Sequence, residues 1–200
     1  MKNLLKPLAA SSILALALSL SGCGGVPLRS IPRLVQLQSE LIDAKPAEFM
    51  VALQLDARLV PPPGAAPLLY IKLTPKDPSA YEAIDKKLPL QTTVASVGTL
   101  GLEPPPPGRR WMIYSMPAET QAELQRIQAA VRLAKANPKF KSGGTFGIGI
   151  EQASLAAAVT DPALADTRWN TWLQVNQRDG FFEVWSGTPG QLREAAKPSR

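Results

Sequence analysis

The sequence predicts an α+β fold that is mostly antiparallel β: a sandwich or curved sheet of about six to eight strands with one amphipathic helix packed on it. Three observations carry this. Residues 48–60, "EFMVALQLDARLV", alternate apolar and mixed side chains with a period of two. Runs of proline ending in glycine, at 61–64 and 104–108, cut the chain into short segments. Residues 117–136 carry the clearest apolar stripe at helical spacing.

The elements follow in order. Lys2 and Lys6 precede an apolar run from Leu8 to Leu20 that is interrupted by Ser11, Ser12 and Ser19. This is the layout of a secretory signal, over residues 1–22. The run is about 13 residues, short of the roughly 20 that span a bilayer core. Residues 23–33 then read as a short tether. Segment 31–45 is ambiguous: Leu34, Leu37 and Leu41 sit at helical spacing, while Val35, Leu37, Ser39 and Leu41 alternate like a strand. Pro32 suits a first helical turn, but Glu40 and Asp43 would sit at the negative end.

A single β-rich domain is expected over 34–187. In the strand at 48–60, Phe49, Val51, Leu53, Leu55, Ala57 and Leu59 face a core, and the alternate set faces mostly solvent. Pro61-Pro62-Pro63-Gly64 ends it, and "PLLYIKLTP" resumes as a strand expected to pair with the first across that loop. Residues 77–89 predict a short helix, with Asp77 as N-cap and Pro78 at its first position. Residues 92–102 predict a strand with a bend or bulge, and Trp111 to Ser115 a further strand after the second proline run.

In 117–136, Leu124, Ile127, Val131 and Ala134 form one stripe. Pro117 opens the helix and Asn137-Pro138 closes it. Glu119 and Glu123 lie early, and Arg126, Arg132 and Lys135 late, which suits the macrodipole. The glycine-dotted stretch 143–152 matches neither phosphate-binding glycine pattern. Phe146, Ile148 and Ile150 alternate with Gly147 and Gly149, which describes a strand with one bulky face and one bare face. Asp179-Gly180 predicts a two-residue hairpin turn, with Gln177 opposite Phe182 and Val175 opposite Val184. Residues 188–200 read as a polar C-terminal tail. The stretches "VALQLDARLVPPPG" and "VASVGTLGLEPPPPG" echo each other, through a duplication or through recurrent proline-loop chemistry.

Composition narrows the function. There is no histidine and one cysteine, Cys23, among 200 residues. Without histidine there is no His-based triad and no usual proton shuttle at neutral pH. Zinc and copper sites of the ordinary kind are excluded too, and no cofactor is called for. A lone cysteine forms no intramolecular disulfide. The formal charge is +6 and drops to +4 once Lys2 and Lys6 leave with the signal. That excess is scattered over Lys86-Lys87, Arg109-Arg110, Lys139 and Lys141, so no nucleic-acid stripe forms.

Neither S-x-x-K nor G-x-S-x-G is present. The chemistry left is a pair of carboxylates of the glycosidase kind, with Asp161 and Asp166 or Asp179 and Glu183 as candidates. Each has a competing structural reason: Asp161 precedes Pro162 at a turn or helix start, and Asp179 lies in a hairpin turn.

Leu20-Ser21-Gly22-Cys23 resembles the lipobox of bacterial lipoproteins. That resemblance implies cleavage before Cys23, acylation of its thiol and of the new amino terminus, and 178 mature residues. Three acyl chains, at ~0.8 kcal/mol per buried CH₂, hold far more firmly than one. Gly24 follows in place of the aspartate that resembles an inner-membrane retention signal, so the outer membrane, facing the periplasm, is the expected location.

Further along, the long strand "VALQLDARL", the proline-bearing loop, "AAPLLYIKL", "YEAIDKKL", "FGIGIEQ" and "RWNTWLQV" run in an order that resembles the outer-membrane lipoprotein of the type VI secretion membrane complex. The helix at 117–136 departs from that pattern. The resemblance implies a lipid-anchored β-sandwich that tethers the membrane to a periplasmic protein partner. The candidate partner-binding loop is Val60, Pro61, Pro62, Pro63 and Gly64, within a loop that extends to Pro67. Stiff proline loops lose little entropy on docking, and long strands offer edges for β-augmentation. The expected function is thus a non-enzymatic, lipid-anchored tether or assembly factor. A periplasmic lipid or small-ligand carrier is the first alternative, with an apolar pocket between helix and sheet. A cell-wall carbohydrate-active enzyme is the second.

Overall fold

The computed structural model describes residues 25–94, 100–137 and 144–197, without the side chains of Gln38 and Ser39. The expected signal segment 1–22, Cys23 and its lipobox, and part of the expected strand at 92–102 lie outside the described residues. The elements run α1 (Ile31–Asp43), β1 (Met50–Asp56), β2 (Leu68–Pro75), β3 (Ile84–Pro89), β4 (Gln91–Thr93), β5 (Arg109–Ser115), α2 (Ala118–Ala136), β6 (Gly144–Glu151), α3 (Ala153–Ala157), α4 (Pro162–Ala165), β7 (Trp169–Gln174), β8 (Phe182–Gly187) and α5 (Pro189–Ala195). Short 3-10 turns occupy Leu28–Ser30 and Pro46–Glu48.

Among the described residues the eight strands form a five-stranded sheet, β4-β5-β1-β7-β8, and a three-stranded sheet, β3-β2-β6, and every pairing is antiparallel. This is the expected α+β fold dominated by antiparallel sheet. One apolar core joins the two sheets: Val51, Leu53 and Leu55 from β1, Tyr114 from β5, and Trp169 and Leu173 from β7 meet Leu69, Ile71 and Leu73 from β2 and Leu88 from β3. Each fully buried aliphatic side chain contributes about 1.5–3 kcal/mol by leaving water.

Helix α2 spans nearly the expected bounds and buries Leu124, Ile127, Val131 and Ala134, together with Thr120 and Gln128. The ambiguous segment 31–45 resolves as helix α1, with Pro32 in its first turn and Leu37 and Leu41 buried. Its last turn carries no basic residue of its own. Instead α2 supplies the missing groups. The Gln128 amide donates to the Leu41 and Ala44 carbonyls (2.7 and 2.9 Å), and Arg132 donates to the Ile42 carbonyl (2.9 Å). Arg132 also lies 3.9 Å from Asp43. Carbonyls that a helix end leaves open, and acids placed at its negative end, are thereby answered from another element.

Several local expectations are corrected. The strand expected over 48–60 is confined to 50–56, because Asp56 turns the chain: its carboxylate accepts from the Arg58 amide (3.0 Å) and guanidinium (2.9 Å twice). β1 and β2 do not pair. Both edges of β1 are taken by β5 and β7, and the proline loop carries the chain to the other sheet. The helix expected at 77–89 is a turn followed by β3. Asp77 does bind the Ser79 amide (2.9 Å), but pairing of Ile84, Lys86 and Leu88 with Leu73, Ile71 and Leu69 overrides the helical signal.

The two-residue turn at Asp179-Gly180 is a longer loop. Leu173, not Gln177, faces Phe182, with a bulge between Thr171 and Trp172. Val175 is drawn into the main core, and Asp179 closes a local turn on Asn176 (2.7 and 2.9 Å). The expected polar tail contains α5. Thr188 and Gln191 form a capping box, and Arg193 ties α5 to the Val159 carbonyl (2.9 Å).

Candidate functional site

β1 ends at Asp56 opposite Arg109, the first residue of β5. The loop leaving β1 and the loop entering β5 therefore emerge side by side, and the Ala57 amide donates to the Gly108 carbonyl (2.9 Å). Val60-Pro61-Pro62-Pro63-Gly64 and Pro104–Pro107 thus share one end of the five-stranded sheet. All are exposed except half-buried Pro61, and Val60 is 75% exposed. Proline lacks an N–H, so these loops offer carbonyls and apolar rings but few donors.

The base of this rim is fixed. Leu59 is buried, and its carbonyl accepts from Arg110. The Ala65 amide donates to the Pro62 carbonyl (3.1 Å), and Gly64 turns the chain with a φ of 83°. The Arg58 guanidinium, donating to Asp56, brings that carboxyl down to about 2.

At the far edge of the same sheet, residues 25–33 do not hang free as a tether. Gly25 bridges to Ser186 of β8, whose amide donates to the Gly25 carbonyl (3.2 Å). Arg29 reaches Glu183 (2.7 Å), and Arg33 lies 4.3 Å over the Phe182 ring. The segment covers the edge of β8, which would otherwise be open to strand addition.

From Glu183 a polar path crosses the sheet. Asn170 donates to Glu183 (2.6 Å) and to the Ser186 hydroxyl (3.2 Å), and it accepts from Arg109 (3.3 Å). Arg168 also donates to Ser186 (2.7 Å). Arg109 sits at the foot of the second proline loop, so the amino-terminal segment and the rim are joined by one chain of hydrogen bonds. Burial pushes the Arg109 guanidinium below its ordinary range. Sequence reasoning missed this network. Its members are far apart in the chain, and the only local signal was the Arg109-Arg110 pair straight after Gly108.

Three of the four candidate carboxylates have structural partners, and the fourth, Asp166, is exposed at the C-terminal end of α4. Asp161 caps α4 through the Ala163 amide (2.8 Å). Asp179 is held by Asn176 and Arg178, and Glu183 by Arg29 and Asn170. Between the sheets a cavity of about 110 Å³ is lined by Leu34, Leu37, Leu69, Ile148, Thr171 and Trp185, among others. A second concavity, about 870 Å³, is an open surface groove lined by charged and amide groups, including Glu40, Asp43, Lys45 and Arg178. On the bare face of β6 nothing comes within 4 Å of a Cβ placed on Gly149, while one on Gly147 would meet the Lys72 Cβ of β2 at 3.8 Å. Among the described residues no helix is long and apolar enough to cross a membrane, and no group of three or more acidic or cysteine side chains is arranged to hold a metal ion.

Comparison with protein-family models, with curated proteins and with solved structures found no match.

Proposed function

We infer that this chain is a non-enzymatic, lipid-anchored envelope protein, held at the outer membrane through Cys23 and facing the periplasm, that tethers or assembles an envelope complex such as a secretion system. The observation that carries the reading is the convergence of the two proline loops on one end of the five-stranded sheet. Two stiff, exposed segments on a fixed base form a docking rim that needs little ordering when a protein partner binds. Proline leaves these segments few N–H donors of their own, which suits a partner that brings hydrogen-bond donors.

Two further observations favour this reading over its alternatives. The apolar cavity between the sheets, about 110 Å³, is below the ~300 Å³ at which small-ligand sites begin. Of the four acids considered for glycoside chemistry, Asp161 serves as a cap, Asp179 closes a turn and Glu183 is a salt-bridge partner, which leaves Asp166 alone.

Pull-down from detergent-solubilised envelopes tests the inference. The full chain is expected to recover a stoichiometric protein partner. The combined substitution Pro61→Gly, Pro62→Ser and Pro63→Gly is expected to release that partner while leaving the circular dichroism unchanged. Recovery of the protein alone under mild conditions overturns the reading.

A further inference from the structure

The attachment point lies very close to folded structure. Cys23 is two residues from Gly25, and Gly25 is fixed to Ser186 on the edge of β8. At ~3.3–3.6 Å per extended residue, a lipid on Cys23 emerges within about 7 Å of that edge. No slack remains for the body to stand off from the bilayer.

The surface next to this point has an unusual composition. Leu28 is 83% exposed, Ile31 45% and Val35 57%. These positions, spaced i, i+3 and i+7, fall on one side of the 3-10 turn and α1, opposite the buried Leu37 and Leu41. Among the described residues seven large hydrophobic side chains are exposed, and three of them lie on this short stretch. Arg29 keeps most of its side chain exposed even while paired with Glu183, and exposed Arg168 sits on Ser186 beside the Gly25 bridge. Apolar side chains flanked by cations are what a helix lying in a membrane interface presents, with the apolar groups ~5–10 Å into the headgroup boundary and the cations beside anionic phosphates.

We propose that Leu28, Ile31 and Val35 form a lipid-contact surface that lays the β8 side of the protein flat on an anionic bilayer. This rests on the reading of Cys23 as the lipidated residue. The bilayer covers the apolar face, and Arg29 and Arg168 meet the lipid phosphates. The lipid then fixes orientation as well as location. The proline rim grows from β1 and β5, two and three strands in from β8, so at ~4.8 Å per strand it is held roughly 10–15 Å from that edge.

The test uses the full chain, purified with its lipid and reconstituted into phosphatidylethanolamine–phosphatidylglycerol vesicles. Acylation consumes the Cys23 thiol, so Val35→Cys introduces a unique site for a polarity-sensitive fluorophore. Leu133→Cys, at a 76% exposed position on α2, is the control. The label at position 35 is expected to shift to the blue and to lose at least half its emission to bromine-bearing acyl chains, while the label at 133 does neither. Replacing phosphatidylglycerol with phosphatidylcholine is expected to reduce the quenching at 35. Equal emission at 35 and 133 in acylated protein overturns the proposal and leaves the anchor standing. A blue shift at 35 that follows protein concentration without lipid quenching also overturns it, because a second copy then covers the face. The mass of the amino-terminal peptide reports acylation separately. An unmodified Cys23 removes the anchor and this proposal together.

Discussion

The two faces of the five-stranded sheet are covered in opposite ways. On the inner face Val51, Leu53 and Leu55 of β1 meet the second sheet in the main core. On the outer face the same strand offers Ala52, which is equally buried but belongs to a small cluster with Ile113 and Phe181, edged by Met50, Leu102, Trp111 and Trp172. Among the described residues no second sheet covers it. The lid is the segment 100–108, pinned at one end by the Phe181 amide on the Leu100 carbonyl (2.7 Å) and along its length by the Trp111 indole on the Glu103 carbonyl (2.8 Å). The rings of Trp111 and Trp172 meet edge to face at 5.9 Å and 88°. One face is closed by regular structure and the other by a loop that ends in a proline rim. Local alternation marks the larger core, but it does not say whether the opposite face is wet.

The sharpest way to break this comparison is a cavity on the inner side. Leu53→Ala is expected to cost about 3–4 kcal/mol of global stability in urea unfolding. A cost near that of an outer-face variant would mean that the two clusters carry similar weight. Gly101→Ala attacks the lid. Gly101 has a φ of 89°, and a Cβ there would meet the Phe181 carbonyl oxygen at 2.5 Å. The expected loss is about 2 kcal/mol, with faster hydrogen exchange at Trp111 and unchanged exchange at Leu53. Trp172→Leu removes the edge-to-face pair while keeping much of the apolar cover and is expected to cost about 1 kcal/mol, read from the same unfolding curves.

The smallest effect concerns the fixed base of the rim. Arg58→Ala is expected to return the Asp56 carboxyl from about 2 toward its ordinary value of 3.8, as followed by carboxyl NMR titration. The contact lowers the folded-state value, so its stabilisation is present above that ordinary value and is lost as pH falls through about 2. A carboxyl that does not move in the variant would mean that Arg58 does not hold the turn.

What the sequence made legible was local. Helix α2 could be read almost to its ends because its caps, its charges and its stripe all lie within one segment. The alternation of β1 identified its inner face correctly. What failed required a distant partner. The 77–89 segment carries a helix-start signal, but β2 recruits it as a strand. The Asp-Gly pair at 179–180 suggests a tight hairpin, but Val175 and Phe181 find separate clusters and lengthen the loop. α5 was legible in principle, since Thr188 and Gln191 are spaced as a capping box. Of the candidate site, the first proline loop could be singled out from sequence. Its meeting with the second depends on β1 lying beside β5, which no local pattern announces.

β3 passes into β4 through one residue, buried Leu90, so a single run of chain crosses from one sheet to the other. That crossing acts as the spine of a book whose covers are the two sheets. β6 and β8, at the opposite margins, are its fore-edge, and the cavity lined by Ile148, Val184 and Trp185 lies between them. One residue's reach binds the covers at the spine, whereas at the fore-edge the side chains of Leu34 and Leu37 from α1 reach into the gap between them.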